Sequence, residues 1–296
     1  MKKLLAVLLL LLVVAGVAGY IVFISPNVNT DKRVAVKIPT GSTYDDVLRI
    51  LNENKVLKNE QTFGLVSKLK NYPAHINPGY YFFNKGLNNR QIVNILRAGL
   101  QSPVKLVIYN IRTKDEFAGL VGRTLEMDSN MVLAKLNSPE FCKTLGSDTS
   151  KILARFIVDN YEFYWNISFD KFVERMTGAY KKFWNEERQN KAHELNLSPT
   201  EVTVLASITE KEVIRDKELP TVAGVYLNRL KIGMPLQADP TLVFALRDFN
   251  AQRVTSYHKD FDTPYNTYKY AGLPPGPICM PRKKSIDAVL NFEEHQ

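Results

Sequence analysis

Two glutamates, Glu210 and Glu212, stand two places apart in "ITEKEV", residues 208–213. A carboxyl group half shielded from water by apolar walls keeps its proton nearer neutral pH, which suits general acid catalysis. Helical neighbours two apart point about 200° away from each other, so the pair is not one shared site. Summing the directions of Val202, Val204, Leu205, Ala206, Ile208 and Val213 puts Glu212 about 50° from the centre of the apolar face and Glu210 about 110° from it. The expectation is a border acid at Glu210 and an inward Glu212 paired with a cation such as Arg229, since a lone buried carboxylate is costly. Ordinary solvated glutamates are the plain alternative.

Other chemistries find less support. His75, His193, His258 and His295 are scattered, and "HELNL" has Leu197 where a second zinc-binding histidine would stand, so no metal site is expected. Neither a GxSxG elbow, a P-loop nor GxGxxG occurs, and no cofactor is expected. SxxK appears four times, without an accompanying KTG, and carries no weight.

The element that must position the two glutamates opens at "SPTE" (Ser198–Glu201), a capping box with proline at the first helical position, and runs from Thr200 to Val213. Ahead of it, "SFDKFVERMTGAYKKFWNEERQNKAHEL" from Ser168 reads as one long amphipathic helical stretch. A further helix spans Glu218 to Ile232 and stops at Gly233. The Pro-, Gly-, Asn- and Tyr-rich segment "DTPYNTYKYAGLPPGPICMP" then reads as a long ordered loop of the kind that carries function.

At the other end, the 21 apolar residues Leu4–Ile24 are about 31 Å long as a helix, enough for a hydrocarbon core of about 30 Å. Residues 1–25 are therefore expected to form an uncleaved single-pass anchor. Lys2 and Lys3 place the N-terminus in the cytoplasm and the rest outside. Residues 26–33 read as a polar tether, and 34–100 as a β-α-α-β-α module. Residues 101–296 form the remaining α+β domain, in two parts, 101–167 and 168–296. "VKIPTGSTYDDVLRIL" from Val36 echoes "LVIYNIRTKDEFAGLV" from Leu106 at an offset of 70, each a strand before a Thr-x-Asp helix start. With Lys2 and Lys3 set aside, the remaining balance of about +7 suits an anionic partner or plain solubility, and an outside location argues against nucleic acid. Cys142 and Cys279 are compatible with one disulfide or two separate thiols.

The runs "LASITEKEV", "VAGVYLNRLKIGMPLQADPTLVFAL" and "TPYNTYKYAGLPPGPICMP" together resemble the YceG-like family of endolytic murein transglycosylases, over nearly the whole chain. The resemblance implies an α+β architecture: a single N-terminal transmembrane helix, a LysM-like module over 34–100, and a catalytic domain with a helix-borne glutamate. It implies that Glu210 is the catalytic acid/base, cutting the bond between N-acetylmuramic acid and N-acetylglucosamine to leave a 1,6-anhydromuramoyl end. The attacking group would be the sugar's own 6-hydroxyl, which explains why no second catalytic carboxylate stands at a glycosidase pairing distance. Gln237, Asp239, Asn266 and Tyr268 would hydrogen-bond sugar hydroxyls and acetamides, or else fix the loops that carry them. The partners implied are peptidoglycan glycan strands, with peptidoglycan synthases as candidates beside them.

Two departures from the family pattern stand out. "FIVDNYEFYW" (Phe156–Trp165) lacks the Glu-Gly and the proline usual there, and Gln296 falls where relatives usually continue into a further apolar strand, so either a truncated version or an incomplete sheet is expected. Rival readings are a non-catalytic wall-binding scaffold, and a hydrolytic muramidase that would use Asp239 or Asp262 to activate water.

Overall fold

A computed structural model describes residues 2–251 and 253–294. His295 and the expectation about the chain end at Gln296 lie outside the described residues. The chain divides into two units, Met1–Val104 with Glu162–Ile167, and Lys105–Tyr161 with Ser168–Gln296.

In the first unit, helix α1 (Lys2–Phe23) is long and apolar enough to cross a membrane, by length and composition. Strand β1 (Val34–Ile38), helices α2 (Tyr44–Glu53) and α3 (Glu60–Leu69), strand β2 (Gly79–Phe83) and helix α4 (Asn89–Arg97) follow in the order β-α-α-β-α. β1 and β2 pair antiparallel, with Val36 opposite Tyr81. Alternation puts Val36, Ile38, Tyr81 and Phe83 into a core shared with Leu51, Phe63 and Ile92. Thr43 and Asn88 open α2 and α4 with capping boxes.

Residues 26–33 are not the free tether expected of them. Val28 is buried, Pro26 and Val28 form isolated bridges to Asn88 and Leu57, and Asn27 bonds Asn89 Oδ1 at 2.5 Å and the Asn59 carbonyl at 2.8 Å. One apolar residue and one well-placed amide in a polar run suffice to fold the segment onto the module.

The second unit holds most of the helices. Strands β3 (Pro103–Val107) and β4 (Asn160–Tyr164), which pair with each other, each run across the division between the units, and α5 (Lys114–Thr124), α6 (Ser129–Leu136) and α7 (Pro139–Thr144) lie between them in sequence. The internal echo appears as local structure: a strand precedes α5, whose N-cap Thr113 accepts from Glu116 N–H as Thr43 accepts from Asp46 N–H. The stretch expected as one helix after Ser168 is two, α8 (Phe169–Phe183) and α9 (Glu186–Glu194). Asn185 breaks it by turning its side chain to cap Arg188 N–H at 3.1 Å.

Then come α10 (Pro199–Glu212), α11 (Leu219–Lys231), α12 (Asp239–Ala245), α13 (Ser256–Asp260) and α14 (Lys283–Leu290). Helix α10 is central and packs on α9, α11, α12 and α14. Every residue from Val202 to Thr209 is buried, among Ala223, Leu236, Ile278, Ile286 and Val289. Its buried hydroxyls turn back on their own helix, Thr203 to the Pro199 carbonyl at 2.8 Å and Thr209 to that of Leu205 at 3.0 Å. Cys142 and Cys279 are buried free thiols, and burial pushes the Cys279 thiol up to about 12.

Candidate active site

Helix α10 leaves its core after Thr209, so Glu210, Lys211 and Glu212 emerge together where Val213 ends the helix with extended backbone. Two pockets open there, and Lys211 lines both.

Glu210 lines a pocket of about 490 Å³ with Tyr109, Ile214, Arg215, Asp216 and Arg282. Its side chain is only 9% exposed. Oε2 accepts from the Arg282 backbone N–H at 2.7 Å and the Ser285 hydroxyl at 2.6 Å, and the Arg282 guanidinium lies 3.3 Å away. Arg282 is the N-cap of α14 but offers no capping side chain of its own. Glu210 takes the N–H of the N-cap residue itself, as the N3 side chain of a capping box does, and its carboxyl lies at the positive end of the helix. Oε1 has no partner among the described residues.

Glu212 lines the other pocket, about 310 Å³, with Arg112, Asp239, Phe244, Phe249, Arg253 and Ile278. The residue as a whole is exposed, yet its carboxyl titrates above the ordinary glutamate range. Burial is the main cause, and the Asp239 carboxylate adds to it; the Tyr226 hydroxyl, hydrogen-bonded to Glu212, and Arg229 pull the other way. Whole-residue exposure and carboxyl burial differ here, and the surroundings of the carboxyl are what govern the proton. The ion pair expected with Arg229 does not form: Arg229 gives its guanidinium to the Leu236 carbonyl instead, and the close partner of Glu212 is Tyr226.

The other residues singled out in the sequence divide by role. Asp239, first residue of α12, lines the Glu212 pocket and accepts the Tyr268 hydroxyl at 2.5 Å. Burial, then Asp239, pushes the Tyr268 phenol up to about 12, so it stays a donor. Asn266 is fully buried, and its amide is spent on the carbonyls of Lys259 and Phe261 at 2.8 and 2.7 Å and the N–H groups of Tyr268 and Lys269. It fixes the loop. Gln237, at φ 52°, takes the left-handed conformation; its N–H bonds the Thr267 carbonyl at 2.8 Å and its side chain is exposed. The long loop is held elsewhere too: Gly276 lies so close to Ser150 that a Cβ would collide with that carbonyl, and the Ile278 N–H donates to the buried Ser207 hydroxyl at 3.0 Å. Sequence reasoning missed Tyr226, Arg282 and Ser285. No local pattern marks them, because only the packing of α11 and α14 on α10 gives them a role.

Fold and site together define an α+β protein with a carboxylate-lined pocket at the end of a buried helix. The chain belongs to the YceG-like family, whose sequence profile matches residues 36–296. Among curated relatives, an endolytic murein transglycosylase of Bacillus subtilis is 28% identical over 87% of this chain and 75% of its own length. One of Streptococcus pneumoniae is 26% identical over 90% of this chain and 53% of its own, so the chain spans only about half of that relative. A solved YceG-like protein from Listeria monocytogenes is 28% identical and superposes with a TM-score of 0.61, covering 90% of this chain and 92% of that one.

Proposed function

We propose that the chain is a membrane-anchored lytic transglycosylase that cuts peptidoglycan glycan strands, with one carboxyl group at the end of α10 handling the proton. One observation carries this reading. "EKE", "LQADPT" and "YNTY" lie far apart in sequence, and they converge on the Glu212 pocket through Glu212, Asp239 and the Tyr268 hydroxyl bonded to Asp239. This favours Glu212 as the acid, with Glu210 as the anchor of α14, an exchange of the roles expected from the sequence.

Protonated Glu212 gives its proton to the glycosidic oxygen as the bond to the muramoyl anomeric carbon breaks. The carboxylate then takes the proton of the 6-hydroxyl as that oxygen bonds the same carbon. The proton returns to the acid, no water is consumed, and a 1,6-anhydro end results. Phe244, Phe249 and Ile278 give the pocket an apolar part beside its polar wall of Arg112, Lys211, Asp239 and Arg253.

The reading with Glu210 as the acid is favoured by its own pocket and its unengaged Oε1. A hydrolytic route would use Asp239 to activate water. Mass spectrometry of products from purified glycan strands separates these chemistries, because a hydrolysed end is heavier by one water than an anhydro end; intact strands would leave a wall-binding scaffold.

The β-α-α-β-α unit is read as a LysM-like module that keeps the enzyme on the glycan, with peptidoglycan synthases as candidate partners. Helix α1 is read as the anchor, with Lys2 and Lys3 on the cytoplasmic side. Removing residues 2–23 is then expected to release the protein from sedimented membranes.

A further inference from the structure

We propose that the pocket beside Glu210 binds an acidic peptide carried by the glycan strand. The inference rests on the reading of Glu212 as the acid, which leaves this adjoining pocket without a role in the chemistry.

The charges in it do not balance. Arg282 is committed to Glu210 and Asp216, at 3.3 and 2.9 Å, and Lys284 pairs with Asp216 as well. That matches both anions of the pocket. Lys211 donates only to the neutral amide oxygen of Asn110, at 2.7 Å, and the Arg215 guanidinium has no carboxylate at ion-pair distance among the described residues. Two cations are left facing a space of about 490 Å³. Planar guanidinium and ammonium groups held ready without anions suit carboxylates.

The apolar surface points the same way. The two bonds to Asp216 pin the turn after α10, and Ile214 on that turn is 98% exposed. Tyr109, which lines the same pocket, is 66% exposed. An isolated exposed isoleucine is ordinary. One on a pinned turn, sharing a pocket with a tyrosine and two unmatched cations, fits a short peptide of small aliphatic side chains and several carboxylates. Lys211 lies on the wall of both pockets, so a peptide borne on the sugar at Glu212 enters the second directly.

The test is calorimetric titration of the full chain in detergent with the isolated peptide stem of the wall, at low and high salt. Saturable binding is expected, weakened about tenfold by Arg215→Gln and weakened again by salt. Ile214→Ser, at an exposed position, is expected to weaken it without altering the fold. The preference in kcat/KM for stem-bearing over stem-stripped strands is expected to fall in the same variants. Absence of binding by the unaltered chain, or unchanged affinity in both variants, overturns the proposal. Turnover of stem-stripped strands tests the Glu212 reading separately.

Discussion

The backbone N–H of Arg282 donates to Oε2 of Glu210 at 2.7 Å, and through this bond the last turn of α10 caps the first turn of α14. The carboxylate does for α14 what the N3 side chain of a capping box does elsewhere, accepting the N–H of the N-cap residue, from 72 positions away in sequence. Glu210→Ala should leave the Arg282 N–H and the buried Ser285 hydroxyl without an acceptor. The expected cost is about 1–3 kcal/mol, read from urea unfolding of the chain in detergent. Glu210→Gln keeps an oxygen in place and should cost less.

The proton on Glu212 is set by its neighbours. Its pKa is raised by burial and by Asp239 and lowered by the Tyr226 hydrogen bond and Arg229. A general acid works while protonated, so with Glu212 in the proposed role its titration would form the alkaline limb of the kcat/KM profile. Tyr226→Phe removes a donor that favours the carboxylate, and the limb should move to higher pH. Asp239→Asn removes a like charge, and the limb should move to lower pH. The charged groups Lys211, Arg112 and Arg253 share the pocket and stay in place in both variants. Identical alkaline limbs in all three proteins would remove the assignment.

Ser207 holds the long loop to α10 by accepting the Ile278 N–H at 3.0 Å in a site closed to water, while its own hydroxyl bonds the Val204 carbonyl at 2.6 Å. Ser207→Ala should orphan that N–H and cost about 1–3 kcal/mol, measured by urea unfolding. Because Ile278 lines the Glu212 pocket, KM should rise with the loss.

Much of the fold was legible because its signals are local. The apolar run of α1, the capping box at Ser198, the strand at Gly79–Phe83 and the stop at Gly233 each arise within a few residues. The segment of Asn27 and Val28 was misread as a tether because its partners, Asn59, Asn89 and Leu57, are distant in sequence. The two glutamates were ranked from the direction of an apolar face, and α10 has no such face: Val202 to Thr209 are buried all round, polar residues included. For a helix enclosed by neighbours, what each residue of the last turn meets depends on the neighbouring helices. Ser285 on α14 and Tyr226 on α11 therefore decided which carboxyl is tied down and which faces the converging loop residues. Asp239, on the Glu212 pocket, and Tyr268, bonded to it, stand out in the sequence through the family resemblance and their polar groups, whereas the structural role of Asn266 shows only in its four filled bonds.

The most direct measurement compares Glu212→Gln and Glu210→Gln with the unaltered chain on purified glycan strands, counting anhydro ends by mass spectrometry after confirming that each variant is folded. The account predicts that Glu212→Gln loses about 10²- to 10⁴-fold in rate while Glu210→Gln keeps activity within about tenfold of the parent. A Glu212→Gln protein that still releases anhydro ends at the parental rate, with Glu210→Gln inactive, would contradict it and return the proton to Glu210.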